Sequence, residues 1–156
     1  MMIDKPPINR KDYKHFYEIT TRWMDNDVYG HVNNVTYYSY FDTVINQYLI
    51  EFAQLEIREA PIAAYVVRSN CNYLSGIAYP DKIEAGICVL KLGNSSVTYR
   101  IGIFKKGSQQ ACAYGSFVHV FVNRAEGTSV KIPDKYRQAL GALIMSTQIK
   151  NTSRKL

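Results

Sequence analysis

Only one stretch of this 156-residue chain has the spacing of a long α-helix, and most of the remainder is typical of β-strands. Apolar side chains recur every three or four residues from Val35 to Phe52, which predicts one helix of about five turns. Residues 15–23 alternate in polarity before that helix. Four more extended segments follow Pro61, at residues 62–74, 81–92, 96–105 and 110–122. This order predicts an α+β fold in which one helix packs on an antiparallel sheet.

The ends of these elements allow further predictions. Asn33 or Asn34 is a natural N-cap for the long helix, because a short side-chain oxygen accepts an unpaired N–H of the first turn. A second, shorter helix is predicted between Ile132 and Ile149, at an edge of the sheet. A five-stranded sheet wrapped around one helix leaves two edge strands, which a symmetric dimer could pair.

The net charge of +6 is concentrated near the two ends of the chain. Residues 1–14 carry four basic and two acidic side chains, and residues 150–156 carry three basic ones. We therefore expect an N-terminal arm at residues 1–14, a single domain at residues 15–149 and a basic tail at residues 150–156. Nucleic-acid binding is disfavoured, because a nucleic-acid-binding protein usually concentrates its basic side chains on a folded face.

Hydropathy and cysteine content indicate the class of protein. The longest apolar runs, residues 62–67 and 139–145, are shorter than the roughly 18 to 20 residues of a membrane helix, and the first residues lack the apolar segment of a secretory signal. We expect a cytoplasmic protein with no membrane partner. The three cysteines lack C-x-x-C spacing and are expected to be buried thiols: Cys71, Cys88 and Cys112.

The polar turn before the long helix holds the densest cluster of reactive side chains: Asp25, Asp27, His31, Asn33 and Asn34. The turn ends at a helix N-terminus, where unpaired backbone N–H groups and the positive end of the helix dipole lie. A carbonyl oxygen that gains negative charge in a transition state would be stabilised there. On the pattern alone, Asp25 and Asp27 are explained equally well as turn-forming residues.

No metal site is predicted from this turn. Its D-x-D-x-x-G spacing is similar to that of a calcium loop, but Tyr29 and Thr36 stand where that loop needs an oxygen ligand and a glutamate. His31 lacks a second histidine at metal-ligand spacing, since His15 and His119 fall on separate predicted strands. We expect His31 to fix the loop by hydrogen bonding.

The segment from Trp23 to Asn34, with the pattern D-x-D-x-x-G-H-V-N-N, and the Phe41-Asp42 pair after it resemble a known signature. It is that of the 4-hydroxybenzoyl-CoA thioesterase-like hotdog-fold acyl-CoA thioesterases. Weaker matches at Tyr73-Leu74, Tyr79-Pro80-Asp81, Ser96 and Ile132-Pro133 extend the resemblance over about residues 16–137. The resemblance implies a hotdog fold, in which a five-stranded antiparallel sheet wraps around one long central helix. It also implies a homodimer or homotetramer that hydrolyses acyl-CoA without a cofactor.

The resemblance assigns roles to residues of the turn. Asp27 corresponds to the catalytic carboxylate, acting as general base or as nucleophile, whereas Asp25 is expected to be structural. The backbone N–H near Asn34 corresponds to the group that polarises the thioester carbonyl. Substrate-binding or loop-orienting roles are expected for Gly30, His31, Asn33, Tyr37 and Asp42. Because a thiol has a pKa of about 8.5, the CoA thiolate can leave without a general acid.

Two further groups of side chains have more than one explanation. Four tyrosines lie on the predicted helix and are expected to line the core or an acyl pocket: Tyr37, Tyr38, Tyr40 and Tyr48. Basic residues on the later strands are candidates for contacts with the CoA phosphates, although exposed strands also use such residues for solubility: Arg100, Lys105 and Lys106.

Two other functions compete with hydrolysis. A hotdog hydratase or dehydratase pairs a carboxylate with a histidine in a D-x4-H arrangement, and neither Asp25 nor Asp27 stands at that spacing from His31. A non-catalytic acyl-CoA-binding module would use the same pocket and retain Asp27 for folding or ligand orientation. Acyl-CoA thioesterase is the favoured function.

Overall fold

The computed structural model describes residues 5–145. Within that range the chain forms β1 (His15–Thr20), α1 (Thr36–Ala53), β2 (Ile62–Tyr73), β3 (Lys82–Leu92), β4 (Ser96–Lys105), β5 (Ala113–Asn123) and α2 (Asp134–Gly141). The strands form one antiparallel sheet in the order β1-β3-β4-β5-β2, so β1 and β2 are its edges. The predicted α+β architecture, with five antiparallel strands against one long helix, is confirmed.

The main core lies between α1 and the inner face of the sheet. The helix buries a stripe whose three- and four-residue spacing is the one that predicted it, including Phe41, Val44, Ile45 and Leu49. The central strands bury every second residue on this face, as β4 does at Val97, Tyr99, Ile101 and Ile103. The apolar surface removed from water on both sides of this interface is the main source of its stability.

The start of α1 differs in detail from the prediction. The helix begins at Thr36, and neither asparagine occupies the position directly before it. Asn33 instead closes the preceding turn: its Oδ1 accepts the N–H of Val35 at 3.0 Å, and its backbone oxygen accepts the N–H of Thr36 at 2.9 Å. Asn33 therefore satisfies an N–H at the entrance to the helix, as expected of a cap, but it lies two residues before the cap position at Val35.

The first predicted strand is shorter in the structure. β1 ends at Thr20 rather than at Trp23, because Trp23–Asp25 form a 3-10 turn in which the N–H of Asp25 donates to the oxygen of Arg22 at 3.0 Å. The alternation of polarity continues through Thr21, Arg22 and Trp23, although the strand has already ended. The turn is what carries Asp25 into the protein.

The predicted second helix is also shorter. α2 ends at Gly141, and the chain then runs beside β3, where the N–H of Val89 donates to the oxygen of Leu143 at 2.8 Å. Residues 146–149 of the predicted helix and the predicted tail at residues 150–156 lie outside the described range. A hydrogen bond of 2.7 Å from the hydroxyl of Tyr48 to the oxygen of Ala139 joins α2 to the long helix.

The N-terminal arm packs on the outer face of the sheet. The ring of Tyr13 lies over Gly86 and Gly102, which are cross-strand partners on β3 and β4, and a side chain at either glycine would overlap that ring. The hydroxyl of Tyr13 donates to the oxygen of Pro7 at 2.8 Å. Phe104 is fully buried beside Tyr13, at a ring distance of 5.6 Å. The two glycines thus form a seat for Tyr13.

The two edges of the sheet differ in length and exposure. β1 has 6 residues, whereas β2 has 12 and carries solvent-exposed apolar side chains at its centre. Tyr65, Val66 and Val67 are 51%, 46% and 60% exposed. A shift in register between Val66 and Arg68 leaves Val67 without a partner on β5. The outer edge of β2 is therefore long, apolar at its centre and unpaired within the described chain.

Within the described residues we looked for disulfides, metal sites and helices that could span a membrane. All three cysteines are free; Cys88 and Cys112 are buried as predicted, and Cys71 is half-buried. Between residues 5 and 145 no group of three or more histidine, cysteine, aspartate or glutamate side chains is arranged to hold a metal ion. In the same range neither helix is long and apolar enough to cross a bilayer.

Candidate active site

The turn between β1 and α1 is a small hairpin. The N–H of Asp27 donates to the oxygen of His31 at 2.8 Å, and the N–H of Gly30 donates to the oxygen of Asp27 at 3.1 Å. Asn26 and Val32 form an antiparallel bridge at its base. Gly30 has a φ of +84°, a left-handed conformation that this kind of three-residue hairpin loop requires at that position.

Asp25 attaches this turn to the rest of the protein. Its carboxylate is 2% exposed and accepts hydrogen bonds from the Arg22 backbone N–H at 2.9 Å, the Arg22 guanidinium at 3.0 Å and the Tyr40 hydroxyl at 2.7 Å. Burial alone would raise the pKa of Asp25, but these hydrogen bonds outweigh burial and hold the pKa below its ordinary value. Asp25 is therefore structural, as predicted, and has no free oxygen for chemistry.

Asp27 has a different environment. Its side chain is half-exposed, and its Oδ1 accepts the backbone N–H of Tyr29 at 2.9 Å, an arrangement that orients the carboxylate on the turn. Its Oδ2 has no hydrogen-bond donor within residues 5–145. One carboxylate oxygen is thus held by the turn and the other is available to a ligand or a water molecule.

The backbone of Asn34 lies at the entrance to α1. Its N–H donates to no acceptor in the described part of the chain, whereas the next two N–H groups are used by Asn33. Its backbone oxygen accepts the hydroxyl of Tyr73 at 2.8 Å. The N–H of Asn34 is therefore a free donor near the start of α1, at the positive end of the helix dipole.

Asp27 and Asn34 line two adjacent clefts. The first, which we call the tyrosine cleft, has a volume of about 560 Å³ and is lined also by His31, Val32, Tyr37, Tyr73, Leu74, Ser75 and Gly76. The second, the tryptophan cleft, has a volume of about 780 Å³ and is lined also by Trp23, Asn26, Val28, Tyr29, Gly30 and Asn33. Asp27 and Asn34 thus lie where the two clefts meet.

Comparison with known proteins identifies the family. A family model described as the thioesterase-like superfamily matches residues 21–140, a range that includes the turn, both clefts and the whole sheet apart from β1. The chain belongs to the thioesterase-like superfamily. The resemblance found in the sequence is therefore confirmed, and the chain is a thioester hydrolase by class.

Solved structures support the same assignment for this thioesterase. It superposes on the PA5185 protein of Pseudomonas aeruginosa PAO1 with a TM-score of 0.87 and 51% identity, covering 88% of this chain and 96% of that one. A candidate thioesterase from the same species, PA2801, gives a TM-score of 0.76 and 28% identity, covering 82% and 98%. The uncharacterized protein YsmA of Bacillus subtilis is 24% identical over 132 residues, 84% of this chain and 88% of YsmA. The predicted hotdog fold is confirmed.

The structure of the thioesterase brings most of the predicted turn residues together. Gly30 and Asn33 shape the loop, as described above, and Tyr37 is 3% exposed and lines the tyrosine cleft. Burial raises the pKa of Tyr37 to about 12. His31 fixes the loop through its backbone oxygen, while its ring packs on Gly76, where a methyl group would come within 2.8 Å of Cδ2.

The remaining predicted residues lie outside the two clefts. Asp42 is exposed on α1, and its Oδ1 accepts the side-chain amide of Asn46 at 3.2 Å. Lys105 pairs with Asp81 at 3.7 Å and Lys106 with Glu18 at 2.9 Å. Arg100 lies on the outer face of the sheet, opposite Ser116 of β5. None of these basic residues lines either cleft.

Two tyrosines of the site were not singled out for it from the sequence. Tyr40 was expected only to line the core or an acyl pocket, yet its hydroxyl also binds Asp25. Tyr73 was noted as a weak match to the family, and it contacts both Asn34 and Tyr37. The family signature is strong at the turn and weak at Tyr73, which reaches the site from a strand nearly 40 residues later.

Proposed function

We propose that this thioesterase hydrolyses acyl-CoA to a free acid and CoA, with Asp27 as the catalytic carboxylate and the N–H of Asn34 as the donor to the thioester carbonyl. The observation that carries the proposal is that both groups line both clefts, so a substrate spanning the junction meets them together. One cleft then holds the acyl group and the other holds the pantetheine arm. The family assignment supports the reaction class, and the free N–H and free Oδ2 support the roles.

The chemistry needs few groups. With Asp27 as general base, Oδ2 takes a proton from water while the water oxygen bonds to the carbonyl carbon, and the carbonyl oxygen becomes an oxyanion held by the Asn34 N–H. When the carbonyl re-forms, the C–S bond breaks and the thiolate leaves with its electron pair. The thiolate needs no general acid, because its conjugate thiol has a pKa of about 8.5. The products are a carboxylic acid and CoA.

Asp27 as nucleophile gives the same products by another route. Its oxygen bonds to the carbonyl carbon, the thiolate leaves, and the resulting anhydride is hydrolysed by water. A single turnover in H₂¹⁸O reveals this route when water attacks the aspartyl carbonyl of the anhydride, because that attack places ¹⁸O in the Asp27 side chain. Mass spectrometry of the peptide containing Asp27 detects this label, and general-base catalysis leaves the peptide unlabelled.

The proposed function is tested by thiol release from short, long and aromatic acyl-CoAs. We expect Asp27→Asn to lower kcat by about 10²- to 10⁴-fold while the protein stays folded. Asp134→Asn is the matched control, because Asp134 is an exposed aspartate near the start of another helix and far along the chain from both clefts. An Asp27→Asn variant with wild-type kcat would remove Asp27 from the mechanism. Tight binding without turnover by the wild type would favour a non-catalytic module.

We propose contacts of the CoA phosphates with Arg100, Lys105 and Lys106 as a separate part of this function. Alanine at each position should raise KM for an acyl-CoA and leave KM unchanged for the matching N-acetylcysteamine thioester, which lacks the nucleotide. An equal change in KM for both substrates would assign these side chains to the fold instead. Lys106 is paired with Glu18, so its variant also removes that ion pair.

We propose a homodimer formed through the β2 edge. An antiparallel pairing of two β2 strands about a twofold axis would satisfy the free edge and cover Tyr65, Val66 and Val67. Light scattering after size-exclusion chromatography should give twice the chain mass for the wild type and a smaller mass for Val67→Lys. Ile57→Lys is the control, because Ile57 is at least as exposed as Val67, at 70% against 60%, and lies on the loop before β2. A monomeric wild type would contradict this proposal, whereas a tetramer would require a second interface.

A further inference from the structure

The last residue of β2 contacts the backbone that carries the free N–H. The hydroxyl of Tyr73 donates to the backbone oxygen of Asn34 at 2.8 Å. No backbone N–H within residues 5–145 donates to that oxygen, because the N–H of Tyr38, which would reach it in a regular α-helix, bonds to Val35 instead. Tyr73 is therefore the donor that satisfies the Asn34 oxygen in the described chain.

The ring of Tyr73 is itself held in place. It packs edge-to-face on Tyr37 with a ring distance of 5.1 Å and an angle of 89°. Tyr37 packs in turn on Tyr40 at 6.2 Å, and the Tyr40 hydroxyl binds Asp25. Because Tyr37 is 3% exposed, the ring of Tyr73 cannot move inward without displacing a core side chain.

These contacts hold the catalytic turn from two sides. Asp25 and Tyr40 fix the turn to the buried face of α1, and Tyr73 fixes the first helical residues to the sheet edge. The oxygen and the N–H of Asn34 flank the same Cα, so a restraint on the oxygen limits rotation of both bonds at that Cα. The direction of the N–H then depends on the Tyr73 hydroxyl.

We propose that Tyr73 is a positioning residue for the thioesterase reaction: by holding the Asn34 oxygen, its hydroxyl keeps the Asn34 N–H directed at the thioester carbonyl. The inference rests on the proposed function and adds a residue to it. Burial raises the pKa of Tyr73, so the phenol remains a donor at neutral pH.

The first test is Tyr73→Phe, which keeps the ring contact with Tyr37 and removes the hydroxyl. We expect kcat to fall about 10- to 100-fold with KM within twofold, because the N–H acts mainly on the oxyanion of the transition state. Tyr79→Phe is the matched control and should keep both constants. Tyr79 is similarly exposed, at 41% against 47% for Tyr73, and its ring packs on Trp23.

The second test measures polarisation of the bound carbonyl directly. In the Asp27→Asn background, a bound ¹³C-labelled acyl-CoA should show its thioester C=O stretch at lower frequency than free substrate. Adding Tyr73→Phe should move the stretch back toward the free value, and adding Tyr79→Phe should leave it in place. A merely structural role of Tyr73 would change stability without moving this frequency.

The outcomes separate this inference from the function on which it depends. Wild-type kcat in Tyr73→Phe, or an unmoved carbonyl stretch, would overturn the role of Tyr73 alone. Full activity in Asp27→Asn, or no acyl-CoA turnover by the wild type, would overturn the proposed function and the role of Tyr73 with it. A loss of kcat together with the frequency shift supports both.

Discussion

The hydroxyl of Tyr40, on the first turns of α1, donates a 2.7 Å hydrogen bond to the buried Oδ2 of Asp25. Tyr40 is 5% exposed and Asp25 is 2% exposed, so neither group can replace its partner with water. The hydrogen bond joins the 3-10 turn after β1 to the long helix, and it therefore fixes both ends of the segment between them, residues 26–35. That intervening segment contains Asp27 and Asn34.

Tyr40→Phe should therefore destabilise the protein. We expect the free energy of unfolding to fall by about 1.5 to 3 kcal/mol, because a hydrogen bond to a buried carboxylate is lost and Oδ2 keeps only the Arg22 N–H. Urea unfolding measures the change. Tyr38→Phe is the control, since the Tyr38 hydroxyl has no partner in the described chain, and it should change stability by less than about 0.5 kcal/mol. Equal losses in the two variants would show that the Asp25 contact is not the cause.

Gly30 offers a prediction about backbone conformation. A Cβ at Gly30 would meet nothing within 4 Å, so the cost of Gly30→Ala comes from the left-handed φ of +84° alone and should be about 1 to 2 kcal/mol. Gly30→Asn should lose less stability, because asparagine tolerates this conformation better than alanine. Gly127 has a φ of +71° and equally open surroundings, so Gly127→Ala is the matched control.

Gly30→Ala and Gly127→Ala should have similar effects on stability and different effects on activity. Thermal unfolding is expected to show similar losses for Gly30→Ala and Gly127→Ala. Thiol release should fall only for Gly30→Ala, since Gly30 shapes the loop that carries Asp27. Wild-type kcat in a folded Gly30→Ala protein would show that the loop can relax without moving the carboxylate.

His119 predicts how stability depends on pH. Its ring is 2% exposed on β5, and neither nitrogen has a hydrogen-bond partner in the described chain. Burial lowers the pKa of His119 to about 4, whereas the unfolded chain has the ordinary value of about 6.5. The unfolded state therefore takes up a proton as pH falls below about 6.5, and the folded state does so only near pH 4.

The stability of the wild type, relative to a variant without His119, should fall as the pH is lowered through this range. The free energy of unfolding should decrease by about 3 kcal/mol between about pH 6.5 and pH 4. Above pH 7 the contribution of His119 to stability should be constant. The measurement is urea unfolding of the wild type and His119→Leu at several pH values. Parallel curves for the two proteins would contradict the lowered pKa.

The contact of Tyr13 with Gly102 predicts that substitutions at these two residues, which are far apart in the sequence, have coupled effects on stability. Gly102→Ala should destabilise the protein by about 1 to 3 kcal/mol, because its methyl group overlaps the Tyr13 ring. In a Tyr13→Ala background the same substitution should cost almost nothing. Denaturant unfolding of the four proteins of this cycle gives the coupling. Additive effects would mean that the ring moves aside freely.

The elements set by local pattern were predictable from the sequence. The stripe from Val35 to Phe52 repeats at helical spacing, and β4 alternates strictly, so α1 lies within one residue of its predicted start and β4 matches its predicted bounds. The end of β1 was wrong because the alternation of polarity runs on through Thr21 to Trp23, although the strand ends at Thr20 and a 3-10 turn begins at Trp23. Periodicity alone does not distinguish the two over so short a length.

The candidate site was predictable only in part. Asp27 and Asn34 belong to one short motif, so the sequence places them together, and its resemblance to a family suggested their roles. Tyr73 depends on the register of β2 against β5, which brings it opposite Ala113 and beside the start of α1. Nothing in the sequence around Tyr73 indicates that register. The roles of all three residues remain predictions.

The seat of Tyr13 determines where a shortened version of this protein can begin. A chain that starts at His15 retains every strand and both helices, yet it loses the ring that covers Gly86 and Gly102 and exposes the apolar side chain of Phe104 beside them. Such a bare patch on a sheet favours aggregation. Truncation for crystallisation or fusion should therefore keep the chain from Pro7 onward, because the Pro7 oxygen holds the Tyr13 hydroxyl.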